Sequence, residues 1–162
     1  MKRVLAMLVE NKPGALARVV GLFHQRGYNI ESLNVAPVDD GSYSRLTVST
    51  RGTESAVEQI MKQINKLIDI IKVSDLTEGE HHELELALIK LGKIKDLKSI
   101  KKKIKPLNGQ VIKNDSSSCV LSVTGTSIDI NNLIKSLKRN KIIETVRSGS
   151  IGLHESNKTL TI

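Results

Sequence analysis

Few residues in this sequence have types from which a nucleophile, a metal centre or a ligand cradle is built. They are four histidines, a single cysteine, one pair of adjacent aspartates and a Gly-containing loop near the N-terminus. His24 follows Phe23 on a helical stretch, while His81, His82 and His154 fall in polar segments. Adjacent histidines point apart and no Cys or His recurs at metal-ligand spacing, so solvated roles outweigh a metal site. Cys119 opens an apolar run, where a lone thiol behaves as a small buried hydrophobe rather than a nucleophile. Asp39-Asp40 precede Gly41-Ser42, the composition of a turn more than of an acid–base pair. The chain contains neither a Walker loop nor G-x-G-x-x-G. No catalytic residue and no bound cofactor or metal are expected of this chain on its own.

The segment Glu10-Asn11-Lys12-Pro13-Gly14-Ala15-Leu16 is the most informative. It joins a strand-like run to a helix-like one, with a glycine where the helix begins. A helix start offers unpaired N–H groups and the positive end of the dipole, both favourable to a carboxylate. Gly14 lets a ligand approach the backbone with no Cβ in the way. Asn11 supplies a donor and acceptors alongside, so the carboxylate and ammonium of an amino acid would both be met. A plain turn with a helix cap explains the same residues, and their chemistry alone leaves both readings open.

The elements that must position this loop follow from periodicity. Val4 to Val9 is a continuous apolar run, as in a strand covered on both faces. Pro13 fits the first turn of a helix, and Leu16, Val19, Val20 and Phe23 keep the spacing of one helical face up to Gly27. Ile30 to Val38 and Tyr43 to Thr50 read as two strands around the turn at 39–42. Thr53 caps a second helix through Val57, Ile60, Met61 and Ile64, and Ile68 to Val73 closes the unit as a strand. A polar stretch over 77–83 reads as a linker. The order then recurs: a strand at 84–91, a helix carrying Ile94, Leu97, Ile100 and Ile104, short strands at 110–113 and 119–124, a helix capped by Ser127, and a strand at 142–146, before a Gly- and Ser-containing tail. The predicted fold is α+β: two ferredoxin-like βαββαβ units, each an antiparallel sheet with its helices on one face, over residues 1–76 and 84–162. The first strand is apolar on both sides, so the sheet face without helices needs a cover, from the other half or from a second copy. A two-fold homodimer is the simplest expectation.

Of 162 residues, 25 are Lys or Arg and 17 are Asp or Glu, a net charge of +8. Residues 1–76 carry +2 and residues 77–162 carry +6, with seven lysines between Lys93 and Lys105. A βαββαβ module with a basic face raises single-stranded nucleic acid as a partner, but such modules stack bases on sheet aromatics. Only one Phe and two Tyr are present, one of the three on a helix. A solvated face or an acidic protein surface suits the lysines better than nucleic acid. No apolar run is long enough to cross a bilayer, and Met1-Lys2-Arg3 enters a strand without a signal-peptide pattern, so a cytoplasmic protein with no membrane association is expected.

Glu10-Asn11-Lys12-Pro13-Gly14-Ala15-Leu16-Ala17-Arg18-Val19, with Gly21-Leu22-Phe23 and Arg26-Gly27-Tyr28-Asn29-Ile30-Glu31-Ser32-Leu33, resembles the opening of the acetohydroxyacid synthase (acetolactate synthase) small subunits. The resemblance implies that residues 1–76 form an ACT domain, an amino-acid-sensing βαββαβ module. The second half is collinear more weakly, through Gly125-Thr126 and Arg147-Ser148-Gly149. It further implies a non-catalytic regulatory subunit that activates a large catalytic subunit and confers feedback inhibition by a branched-chain amino acid, valine by default. Thiamine diphosphate, Mg and FAD would belong to that large subunit. Asn11, Pro13, Gly14, Ala15 and Leu16 of one chain, with Asn29 and Ile30 of the facing chain of a homodimer, would hold the effector. The C-terminal unit would serve large-subunit contact, and an N-terminal piece ending at Leu76 would keep effector binding. A nucleic-acid-binding protein and a free-standing ACT sensor of another enzyme are the alternatives.

Overall fold

The computed structural model describes residues 1–38 and 40–161. The chain forms two compact units, Met1–Glu83 with Ser150–Ile162, and Leu84–Gly149. In the first unit the elements are β1 (Lys2–Glu10), α1 (Ala15–Gln25), β2 (Ile30–Val38), β3 (Tyr43–Arg51), α2 (Glu54–Ile64) and β4 (Ile70–Asp75). The strands make an antiparallel sheet of order β2-β3-β1-β4, the α+β arrangement expected from periodicity. Because side chains alternate along a strand, Leu5, Met7 and Val9 of β1 face the helices and pack with Val19, Phe23, Val57, Ile60 and Ile64. Val4 and Ala6 face the other way and are fully buried as well.

Their cover comes from the second half of the chain, through its tail. The chain returns from the second unit as β9 (Ile151–His154), and Leu160 packs with Leu76, Val4 and Ala6 in a small separate cluster. Arg45 Nη2 donates to Gly152 O at 2.8 Å, His154 Nε2 and Ser74 Oγ lie 2.7 Å apart, and Ser150 Oγ donates to Glu83 Oε1 at 2.6 Å. Gly152 lies close against this cluster: a Cβ there would stand 2.8 Å from Leu76 Cδ1 and 3.0 Å from His82 O. The need for a cover, read from the apolar strand, was real, but the covering segment is the tail. The bare-face argument for a dimer therefore does not hold for this unit.

The expected boundaries change accordingly. Residues 77–83 are not a loose linker: Leu76–Glu78 form a 3-10 turn, and β5 (His81–Gly92) starts at His81, where Glu155 N donates to Glu80 O. The second unit ends at Gly149 rather than at the C-terminus. It contains most of β5, α3 (Leu97–Ile104), β6 (Gln110–Asn114), β7 (Ser118–Gly125), α4 (Ser127–Ser136) and β8 (Ile142–Arg147), in a sheet of order β6-β7-β5-β8. Ala87, Ile89, Leu91, Cys119, Leu121 and Val123 pack there with Ile100, Ile104, Ile130 and Leu133.

Local signals land within about three residues of the observed ends. Helix α1 begins at Ala15 with Gly14 as its cap residue, so Pro13 precedes the helix instead of sitting in its first turn. Thr53 caps α2 as expected, accepting from Ala56 N at 3.3 Å. Thr126, not Ser127, caps α4, because Asp129 answers it in a reciprocal capping box. Asp96 caps α3 and leaves Ile94 ahead of the helix. In the β2–β3 turn Asp40 accepts from Ser42 N at 2.9 Å, while Asp39 lies outside the described residues.

Candidate functional site

The loop between β1 and α1 is built by backbone bonds at both ends. Glu10 N donates to Asp69 O at 2.9 Å and Asn11 N to Ser42 O at 2.8 Å, tying the end of β1 to the turns before β4 and β3. Lys12 N donates to Glu10 O at 2.9 Å, and Ala15 N to Lys12 O at 3.3 Å, which tightens the approach to the helix. Gly14 takes φ +86°, a left-handed conformation that costs a side-chain-bearing residue about 1–2 kcal/mol. No side chain caps α1, and its first turn contains no acidic residue. The helix start is thus open, free of a Cβ at Gly14, and without a resident negative charge of its own.

Asn11, Pro13, Gly14 and Leu16 are exposed around this start, Leu16 at 37%, while Ala15 is buried in the core. Asn11 donates one amide N–H to Gly41 O at 2.8 Å, and its side-chain oxygen has no hydrogen-bond partner among the described residues. Its first task is to hold the β2–β3 turn against the loop. Asn29 and Ile30 are elsewhere, past the far end of α1. Asn29 is exposed and its carbonyl accepts from Thr50 Oγ1 at 2.7 Å; Ile30 is half-buried against the core. An 11-residue helix separates the two groups, about 16 Å of rise. One chain does not bring Asn11 to Leu16 together with Asn29 and Ile30.

Three charged residues at the loop carry no periodicity signal. The Asp69 side chain is only 2% exposed and bonds to Arg18 Nε, while its Oδ1 lies 3.1 Å from Lys12 Nζ. Lys12 also pairs with Glu10. The Arg18 guanidinium, followed by Lys12, holds the Asp69 carboxyl below the usual carboxylate range against the opposing effect of burial. Pairing with Glu10 and then Asp69 raises the Lys12 pKa, and Asp69 raises that of Arg18. The clue in the sequence was a lone acid inside Leu67-Ile68-Asp69-Ile70-Ile71, an apolar run where a carboxylate needs a partner. Ile68, the expected start of β4, is instead 85% exposed in the turn.

The remaining chemistry-bearing residues are accounted for by structure. Cys119 is fully buried in the second unit's core, and burial raises its thiol pKa. His24 is exposed in the last turn of α1. His82 lies 3.7 Å from Glu155. Among the described residues no cluster of His, Cys, Asp and Glu has a metal-binding arrangement. Among the described residues, no helix is long and apolar enough to cross a membrane. A cleft of about 410 Å³ opens beside the other end of α1, lined by Arg26, Tyr28, Gln59, Lys62 and Lys66, and includes none of the predicted site residues.

Comparison with known proteins gives the lineage. Residues 5–72 match the family described as the small-subunit-like ACT domain of AHAS, and residues 84–156 match the small subunit of acetolactate synthase. The chain is 43% identical to the acetolactate synthase isozyme 3 small subunit of Escherichia coli K12, with 99% of each chain aligned. It is 39% identical to the acetolactate synthase small subunit of Bacillus subtilis, covering 100% of this chain and 99% of that one. The crystal structure of the Thermotoga maritima acetolactate synthase small subunit superposes with a TM-score of 0.87 at 30% identity, covering 98% of this chain and 99% of that one. With both units matched in order and the fold shared over nearly their whole length, this chain belongs to the acetolactate synthase small-subunit family.

Proposed function

We propose that this chain is the regulatory subunit of an acetolactate synthase. It binds a large catalytic subunit, raises its activity and confers feedback inhibition by a branched-chain amino acid, with valine the first candidate. The observation that carries this reading is the β1–α1 loop: an open helix start with no side chain at Gly14, in a chain of this family. The helix N–H groups take the effector's carboxylate, the free Asn11 oxygen takes its ammonium, and Leu16 supplies an aliphatic contact. Asn29 and Ile30 belong to the same site only if a second chain brings them, since α1 holds them away from the loop of their own chain. The site is therefore assigned to the interface of a homodimer, with two equivalent positions.

The chain itself is assigned no cofactor; thiamine diphosphate, Mg and FAD belong to the catalytic subunit, and the complex to the cytoplasm. Inhibition requires only that the effector prefer the inhibited assembly, and a coupling of about 1–3 kcal/mol shifts affinity by roughly 5- to 150-fold. Calorimetric titration of the purified chain with valine, leucine and isoleucine tests the sensor. One ligand per chain, lost in Asn11→Ala, is the expected result. Reconstitution with the catalytic subunit tests the rest: activity rises on adding this chain and falls again on adding the amino acid that binds. No activation at stoichiometric ratio would overturn the assignment.

A further inference from the structure

Asp69 touches the β1–α1 loop at three points. Its carbonyl accepts from Glu10 N at 2.9 Å, its buried carboxylate bonds to Arg18 Nε, and Oδ1 lies 3.1 Å from Lys12 Nζ. The Lys12 contact is ionic rather than an aligned hydrogen bond, since Oδ1 has no hydrogen-bond partner among the described residues. Lys12 and Arg18 stand on either side of Pro13-Gly14, so one anion gathers both flanks of the loop. Arg18 Nη1 would be 3.1 Å from a Cβ at Gly14, which puts the guanidinium over the glycine. With Nε committed to Asp69, neither Nη group has a hydrogen-bond acceptor among the described residues.

We propose that Asp69 is a positioning residue of the effector site: by gathering Lys12 and Arg18 it sets the conformation of the Asn11–Leu16 loop and presents the free Nη groups of Arg18 to the carboxylate that docks over Gly14. This rests on the reading of that loop as the effector cradle. A planar guanidinium fixed through Nε keeps a fork of two donors for a carboxylate, a geometry a lysine does not offer. Asp69 does not touch the ligand and acts through Arg18.

Amide hydrogen exchange and calorimetric titration with valine, both on the full chain, test it. In Asp69→Asn the amides of Lys12 and Ala15, which are hydrogen-bonded within the loop, exchange about tenfold faster. Valine affinity falls about tenfold, with circular dichroism unchanged. Asp69→Glu restores part of both. Arg18→Gln weakens valine binding too, and the double variant is no weaker than the weaker of the two single variants, because the two residues act through one contact. If Asp69→Asn does not fold, Arg18→Gln and Lys12→Gln carry the exchange test, both side chains being roughly half exposed at 44% and 48%. Unchanged loop exchange in these variants, or equal valine affinity in wild type and Asp69→Asn, overturns the proposal. A wild-type chain that binds none of valine, leucine and isoleucine, with loop exchange raised in the variants, supports the loop role and overturns the effector reading instead.

Discussion

At the scale of the residue, Gly14 combines two demands that no other side chain meets. Its φ of +86° strains any L-residue, and its missing Cβ leaves the space beside Arg18 open. Gly14→Ala is expected to lower the unfolding free energy by about 1 kcal/mol, read by urea denaturation, since the conformational cost falls on the folded state. Gly14→Asp adds a carboxylate where the effector's must go, so calorimetry should detect no valine binding while circular dichroism stays native. Asp69 gives a pH prediction. Its folded pKa lies below the ordinary value of 3.8, chiefly because of Arg18, so its stabilising contribution is fully present above that value. The contribution is lost as pH falls through the lower, folded pKa. Chemical shifts of the Arg18 side chain should therefore hold steady from neutral pH down to about 4 and move only below it.

At the scale of the element, caps and burial decide what a helix or strand tolerates. Thr126 and Asp129 satisfy each other's backbone at the start of α4, Asp129 N donating to Thr126 Oγ1 at 3.2 Å and Thr126 N to Asp129 Oδ2 at 3.3 Å. Thr126→Ala is expected to cost about 1 kcal/mol in chemical denaturation. Ser127→Ala leaves that cap in place and loses only a bond from Arg147 Nη2. Cys119, inside β7, has its thiol pKa raised by burial, so its thiolate is scarce and enclosed at neutral pH. A maleimide should leave it unlabelled in the native chain and label it once after denaturation. Strand β2 forms one edge of the first sheet, with Val35, Ala36 and Pro37 exposed.

At the scale of the whole molecule, the second unit is spliced into the first between Glu83 and Ser150. The first unit is completed only when the tail returns to it with β9 and Leu160. A piece ending at Leu76 lacks that cover and bares Val4 and Ala6, so the simple N-terminal fragment is expected to aggregate and to bind hydrophobic dye. A chain joining residues 1–83 directly to 150–162 should remain soluble. Leu160→Ala, removing a side chain left 7% exposed, should cost about 2 kcal/mol in the full chain. An unchanged denaturation midpoint in Leu160→Ala would show that the tail does not support the sheet.

Local signals determined much of this protein: two βαββαβ orders, the helix faces, the Thr53 cap, the Asn11–Leu16 loop and the small-subunit lineage. Each depends on periodicity or on residues within a few positions of one another, and such patterns survive in a linear string. Tertiary structure alone decided the rest. The apolar rear of β1 announced that a cover was needed, but Leu160 lies more than 150 positions from Val4 and its tail resembles any polar C-terminus. Likewise Asp69 meets Lys12 and Arg18 across about 50 positions. Carboxylate and cation are attracted only once the sheet has brought β1 and the α2–β4 turn side by side. The separation of Asn11 from Asn29 follows the same logic: neighbours in the motif become opposite ends of α1 because a helix converts sequence distance into rise.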